Sequence, residues 1–370
     1  MDLELSDDQF ELRDNIRSVL EGACPPAVVR AVHEGSDTSD ELWARMVELY
    51  WPALGIAEAA GGLGMGFVEV ALLAEELGRA AAPGPLLAVA SQFTPMLAEA
   101  GASGLLAEVA TGARVGALAY AERGRWEPAA VATAAVPGGD GWSLTGTKQA
   151  VLGGAHADSF AVIARADSGE LGVFLVSRDA LVVEMPDVID PGLGLADLML
   201  DDVPATVLLA PDVDVTEPLE RVTQQAAVAM ALHTVGACRR IFEVTLEYAK
   251  VREQYDKVIG SFQALKHRFA DMFLAVERAN AVGYYAALAI AENDPARAEA
   301  AHVAKAAAGD CQRLLVQDGL QLHGGIGYTW ENDLHFLLKR AKAGDALCGS
   351  RAFHRAALAE VIGLVSETTP

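Results

Sequence analysis

The hydrophobic pattern of this chain changes period twice, and that double switch restricts the fold more than any single motif does. From Ser6 to about residue 117 apolar residues recur every three or four positions. From about 118 to 215 they alternate in short runs broken by Gly, Pro, Asp and Ser, and after Pro218 helical spacing returns. The reading is α+β and mainly α: a helical domain over 1–117, a small β barrel or sandwich over 118–217 and a helical domain over 218–370.

The first helix has a start signal. Ser6 followed by Gln9 reads as a capping box, and Leu12, Ile16, Val19 and Leu20 then repeat at helical spacing. ELWARMVELYW and VEVALLAEELGRA continue the helical pattern, with Gly61, Gly62, Gly64 and Gly66 in the loop before the second. In the middle, AVATAAV, PGGDG and WSLTGTK read as a hairpin, and SFAVIAR, LGVFLVS and LMLDD as further strands. Beyond Pro218, Phe262, Leu265, Phe269, Met272, Phe273 and Val276 fall on one helix face. Helical stretches from Pro295 to Gln321 and from Leu334 to Ala346 follow.

Composition removes several classes. The chain is 52% apolar, ample for a large core, and aromatics are only 6%, a balance of Ala and Leu over ring residues that favours helices. A net charge of −23 opposes nucleic acid and anionic membranes, yet leaves room for a phosphate-bearing ligand held by a few local donors. Cys24, Cys238, Cys311 and Cys348 lie far apart without CxxC spacing, so neither a disulfide framework nor a metal site is expected. The acidic start MDLELSDDQF is unlike a secretory signal, and no apolar run of about 18 residues appears. A cytoplasmic protein is expected.

GGLGMG invites a dinucleotide reading, but a Rossmann turn follows a buried strand, and AEAA before Gly61 is no strand. Taken singly, Gly324, Gly325 and Gly327 read as a helix end, and Arg252 as a solvated helix residue. Together the motifs say more. ELSDDQFELRDNIRSVL, GGLGMGFVEVALLAEELGRA, TGTK, YAKVREQYDKVIGSFQALKHRFADM and QLHGGIGYTWE, in this order, resemble the acyl-CoA dehydrogenase family over essentially the whole chain.

That resemblance implies an N-terminal helical domain, a middle β domain and a C-terminal four-helix bundle, with FAD as cofactor and an acyl-CoA as substrate. It implies α,β-dehydrogenation to a trans-2-enoyl-CoA, with an electron-transfer flavoprotein reoxidising the flavin. It implies a tetramer in which Arg252 reaches the FAD pyrophosphate of a neighbouring subunit. Tyr255 and Gln263 match positions used beside that arginine, and Gln321 with Gly324, Gly325 and Gly327 match the element that the adenosine portion approaches.

The chain departs from the family pattern where the chemistry sits. The usual base is a glutamate in a Glu-Gly pair, and here the pair is Cys348-Gly349. The alternative base position on the earlier helix lands on Ala226. Glu220 lies six residues early, roughly 9 Å along a helix, and His233 lies nearer that helix's middle. A thiol is mostly protonated at neutral pH, and buried roles are the commoner fate of such Cys and His residues. The family's Thr-Glu-Pro segment is replaced by Ala121, Glu122, Arg123, Gly124, Arg125 and Trp126, and its Trp-Ile-Thr by Ala150, Val151 and Leu152. By that resemblance, the positions that would serve a neighbour's flavin are retained and those that would serve the chain's own are replaced. Two enzyme readings stand: a homotetramer with a displaced base such as Glu220 or His233, or a complementing subunit without a base in a mixed tetramer. A flavin monooxygenase-like relative is a third.

Overall fold

The computed structural model describes residues 4–138 and 141–364. Met1, Asp2 and Leu3 of the acidic start, and Gly139 and Asp140 of the expected hairpin turn, lie outside the described residues. The chain opens with helices α1 (Asp7–Ala23), α2 (Pro26–His33), α3 (Asp40–Glu48), α4 (Phe67–Arg79), α5 (Leu86–Ala88), α6 (Thr94–Glu99) and α7 (Ser103–Ala110). Strands β1 (Gly116–Ala119), β2 (Ala134–Gly138), β3 (Gly141–Val151), β4 (Ser159–Ala166), β5 (Leu171–Ser177), β6 (Val182–Glu184) and β7 (Ala196–Leu209) follow. Then come α8 (Thr216–Val251), a short hairpin of β8 (Glu253–Gln254) and β9 (Lys257–Val258), α9 (Gln263–Ala291), α10 (Arg297–His323), α11 (Leu334–Ala346) and α12 (Arg351–Val361).

Among the described residues the chain packs into two compact units, and their boundaries fall inside α4 and α8 and in the segments 34–35 and 82–83. One unit holds 35–70 and 83–226. Its strands close a barrel, because β4 pairs with β2, β2 with β3, β3 with β7, β7 with β5, and β5 with β4 again. β1 shares an edge of β4 with β2, in parallel register from Gly116↔Ser159, and β6 flanks β7. Closure removes the free edges that an open sheet would expose.

The apolar run SFAVIAR is explained by burial on both faces of β4. Phe160, Val162 and Ala164 join the barrel core with Leu144, Phe174 and Leu198, while Ala161 and Ile163 pack with Phe93, Met96 and Leu97 of the α5–α6 segment. Only the last part of AVATAAV is strand, from Ala134; Pro128–Ala130 is a 3₁₀ turn. GGLGMG follows the 3₁₀ turn Glu58–Ala60 and precedes α4, so it is no strand-borne nucleotide loop.

The second unit holds the described residues up to Glu34, Ala71–Ala82 and those from Ala227 onward. The expected capping box opens α1: Ser6 Oγ accepts from Gln9 N at 3.2 Å, and Gln9 Oε1 accepts from Ser6 N at 3.0 Å. Close backbone approach defines the crossing of α4 and α8. A Cβ on Gly78 would stand 1.8 Å from the His233 carbonyl oxygen, and one on Gly236 would stand 1.9 Å from that of Glu75. Glycine is required at both positions by space. Buried carboxylates are paired: Glu75 accepts from Arg239, Asn280 and Tyr284, and Glu76 from Arg17.

The aromatic stripe of α9 is not all core. Phe269, Met272 and Val276 are buried, but Phe273 is 47% exposed, its ring lying 5.7 Å from Phe242. Residues 269 and 273 are four apart, so Phe273 sits at the edge of the buried face rather than on its centre.

Candidate functional site

α8 ends with Arg252 N donating to the Tyr248 carbonyl at 2.9 Å. The β8–β9 hairpin follows, turning through Tyr255 and Asp256 at φ 56° and 59°, the left-handed pair that a two-residue hairpin turn requires. Ile259 N donates to the Arg252 carbonyl at 2.8 Å and closes it. Arg252 is thereby held at the base of the hairpin and Tyr255 at its tip, 87% exposed, with its ring edge-on to Phe262 at 6.3 Å. Gln263 is the exposed first residue of α9.

The end of α10 supplies the rest of the set. Gln321 is exposed, and Gly324 adopts φ 63°, ψ −143°, a conformation that an L side chain rarely takes. A Cβ on Gly324 or Gly325 would meet nothing within 4 Å, so the backbone there is open to an approaching group. Gly327 differs: its Cβ would crowd His323 at 3.0 Å, which makes it a packing glycine. Tyr248 stacks on His323 at 4.6 Å and 13°, and Arg268 of α9 pairs with Asp318 of α10 at 3.2 Å. These contacts draw the end of α8, the start of α9 and the end of α10 to one end of the unit.

A guanidinium, two carboxamides and an open glycine backbone form a donor set suited to the phosphates and adenosine of a dinucleotide. The residues present fit that half of FAD. In the barrel unit, Ala121, Ala150, Val151 and Leu152 carry no side-chain donor, and all but Ala150 are buried. Glu122, the acid of that region, is engaged internally: it accepts from Lys148 Nζ at 2.6 Å and from Thr133 Oγ1 at 2.7 Å. Burial pushes the Lys148 ammonium down to about 8, with Glu122 opposing the shift. Burial also pushes the Glu122 carboxyl up, but the bonds from Lys148 and Thr133 outweigh that and keep it below the ordinary value.

The candidate base positions hold a buried thiol, a buried alanine, a buried imidazole and one exposed carboxylate. Cys348 sits at φ 55° and is buried, and burial pushes its thiol up to about 12 against a partial pull from Lys305. Its turn is clamped. Lys305 Nζ donates to the carbonyls of Gly344, Asp345 and Gly349 at 3.0, 3.1 and 2.8 Å, and His354 Nε2 lies 2.8 Å from the Cys348 carbonyl. Ala226 is buried on α8. His233 is buried with Nδ1 3.1 Å from the Ala74 carbonyl and Nε2 3.4 Å from Arg340 Nη1, which occupies both ring nitrogens. Glu220 is exposed on the first turns of α8. Lys305 and His354 are absent from the sequence reading, although a lone lysine in the alanine run HVAKAAAG signals a buried cation. Among the described residues no His, Cys, Asp and Glu cluster is placed to hold a metal, and no helix is long and apolar enough to cross a membrane.

Two family models cover most of the chain: acyl-CoA dehydrogenase, N-terminal domain, over residues 6–109, and acyl-CoA dehydrogenase, C-terminal domain, over 219–363. Acyl-CoA dehydrogenase IpdE2 of Mycobacterium tuberculosis is 33% identical over 333 residues, 89% of this chain and 89% of that protein.

The chain belongs to the acyl-CoA dehydrogenase family.

This is a family of flavoprotein oxidoreductases that are generally FAD-dependent. Acyl-CoA dehydrogenase architecture also accounts for the helix–barrel–helix order. The Tcur3481-Tcur3483 steroid ACAD is similar in structure, with a TM-score of 0.86 and 30% identity over 97% of this chain and 98% of that one. A chain of the ChsE4-ChsE5 complex from Mycobacterium tuberculosis matches with a TM-score of 0.89 and 25% identity over 100% of both chains.

Proposed function

We propose that this acyl-CoA dehydrogenase chain is a complementing subunit without a base in an FAD-dependent enzyme of mixed composition. It lends Arg252, Tyr255, Gln263, Gln321 and the Gly324–Gly327 backbone to a flavin held by a second, related subunit. The observation that carries the reading is Cys348: a buried thiol, kept protonated, stands where the family has its carboxylate. Ala226 at the alternative position offers nothing in its place.

In this reading Arg252 binds the pyrophosphate through paired guanidinium donors, and the carboxamides of Gln263 and Gln321 orient the adenosine end. Gly324 and Gly325 let that end approach the backbone. Bound FAD supplies the hydride acceptor for oxidation of an acyl-CoA to its 2-enoyl thioester. The proton is removed by a carboxylate of the partner, since this chain has none suitably held. Reoxidation by an electron-transfer flavoprotein and a cytoplasmic setting complete the proposal. The similar structures named after two gene products each support mixed assembly.

The test uses the assembly as purified through a tag on this chain from its native host. Arg252→Ala should copurify with the same partner and an unchanged melting temperature, while flavin affinity falls about tenfold to a hundredfold, the value of charge-assisted bonds to phosphate. Full flavin retention by the variant would remove the cofactor role from Arg252.

A further inference from the structure

The barrel unit holds a cavity of about 390 Å³ beside the start of α3. Backbone bonds fix the segments around it. Ala155 N donates to the Gly194 carbonyl at 2.9 Å, His156 N to that of Gly153 at 3.0 Å, and Asp158 N to that of Val115 at 2.9 Å. Pro85, Val115 and Ala155 give the lining its apolar surface, and Trp43 adds a half-buried ring. The volume suits a small organic molecule, for which pockets run to roughly 300–1,000 Å³.

Asp40 and His156 are the only ionisable residues in that lining among those described. Asp40 is exposed in the first turn of α3, and its carboxylate forms no hydrogen bond or ion pair among the described residues. The His156 ring is set by packing: a Cβ on Gly194 would stand 2.6 Å from its Cδ2 and 2.8 Å from its Nε2. Neither ring nitrogen has a hydrogen-bond partner among the described residues, and neither is closed to solvent. Burial pushes this imidazole down, against a pull from Asp40 and with a further push from Arg178, so at pH 7.5 it is neutral and keeps an acceptor nitrogen. Arg178 stands outside the lining and donates to the Gly154 and Ala157 carbonyls, each at 3.0 Å. Asp37, which accepts from Ser39 N at 2.8 Å, is a second carboxylate in the segment that carries Asp40.

The cavity therefore presents an unpaired carboxylate, a neutral nitrogen acceptor and an aromatic ring, with no cation in its lining. Those are the partners of an ammonium group. An anion would be repelled by Asp40, and a neutral molecule would gain nothing from its charge. We propose that this cavity binds a small amine in its ammonium form, the charge against Asp40 and an apolar body against Trp43, Pro85 and Val115. The site does not depend on the flavin assignment, since none of Arg252, Gln263, Gln321 or Gly324 lines the cavity.

The probe is phenethylamine, a cation at pH 7.5, titrated calorimetrically into the full-length protein beside phenethyl alcohol and phenylacetate, its neutral and anionic counterparts. The amine should bind one per chain, and the other two about fivefold or more weakly. Asp40→Asn keeps the shape, removes the charge and should weaken the amine about fivefold, the top of the range for an exposed ion pair, while leaving the alcohol unchanged. Ala155→Leu fills the cavity and should abolish amine binding with circular dichroism unchanged; if that variant does not fold, Asp40→Asn decides alone. No amine binding to the wild type, equal affinity for the alcohol or for phenylacetate, or undiminished binding by Asp40→Asn or by a folded Ala155→Leu would each overturn the assignment.

Discussion

His354 Nε2 donates to the carbonyl of Cys348 across 2.8 Å, which fixes the backbone of that turn while the thiol stays buried beside Lys305. The imidazole on the far side meets His302, with Nδ1 to Nδ1 at 2.8 Å. Since His354 Nε2 carries the donated hydrogen, its Nδ1 accepts and His302 Nδ1 donates. Each proton in the pair has a defined place.

A thiol pushed up to about 12 is neither nucleophile nor base near neutrality. Cys348→Ser should therefore leave flavin content and turnover of the native assembly within about twofold, an order of effect typical where no transition-state contact is lost. Thiol titration adds a check: all four cysteines are buried, and Cys348 should resist modification at pH 8 until the chain unfolds. A fall in kcat of a hundredfold for the serine variant would make the thiol a participant.

Burial pushes His354 down to about 3 from an ordinary 6.5, with the Cys348 carbonyl opposing the shift. The unfolded chain takes up the proton first, so stability is fully present above pH 6.5 and is lost progressively as pH falls toward 3. Burial also pushes His302 down, adding to the same slope. Urea unfolding at pH 7.5 and 5.0 should show a stability loss in wild type that His354→Gln reduces in part, since burial also pushes His156, His302, His323 and His335 down. An identical slope in the variant would assign the acid sensitivity to other groups.

The Glu122–Lys148 pair is almost wholly enclosed in the barrel unit. Lys148→Met leaves a carboxylate buried without its cation and should cost about 3–5 kcal/mol, while the double change with Glu122→Leu should recover much of that loss. Glu122 itself titrates below its ordinary 4.5, so its contribution is present above that pH and fades as pH falls through the folded value. Denaturant midpoints of the single and double variants measure the coupling.

The fold was legible because its signals are local. The capping pair Ser6–Gln9, the hairpin of β2 and β3 and the doubly buried run of β4 each follow from a few neighbouring residues. Phe273 lies on the expected face yet is half exposed, because helical spacing gives a face but not which part of that face meets a neighbour. The lysine half of the clamp on Cys348 could not be read, since Lys305 reaches that turn from α10 across a long chain separation, whereas His354 lies only six residues on in α12. For the same reason the sequence named His233 as a candidate base, while the carbonyl and guanidinium that hold it come from Ala74 and Arg340. Arg252 and Tyr255 are brought together by one short hairpin, and Gln263 opens the helix that follows it.

The most direct test of the account is the flavin-to-chain ratio and oligomeric mass of this chain expressed alone, followed by flavin bleaching with a panel of acyl-CoAs. The account predicts substoichiometric flavin and no bleaching, with both restored when a base-bearing acyl-CoA dehydrogenase partner is coexpressed. One flavin per chain in a homotetramer that bleaches unaided would contradict it and make this chain an independent dehydrogenase with a displaced base.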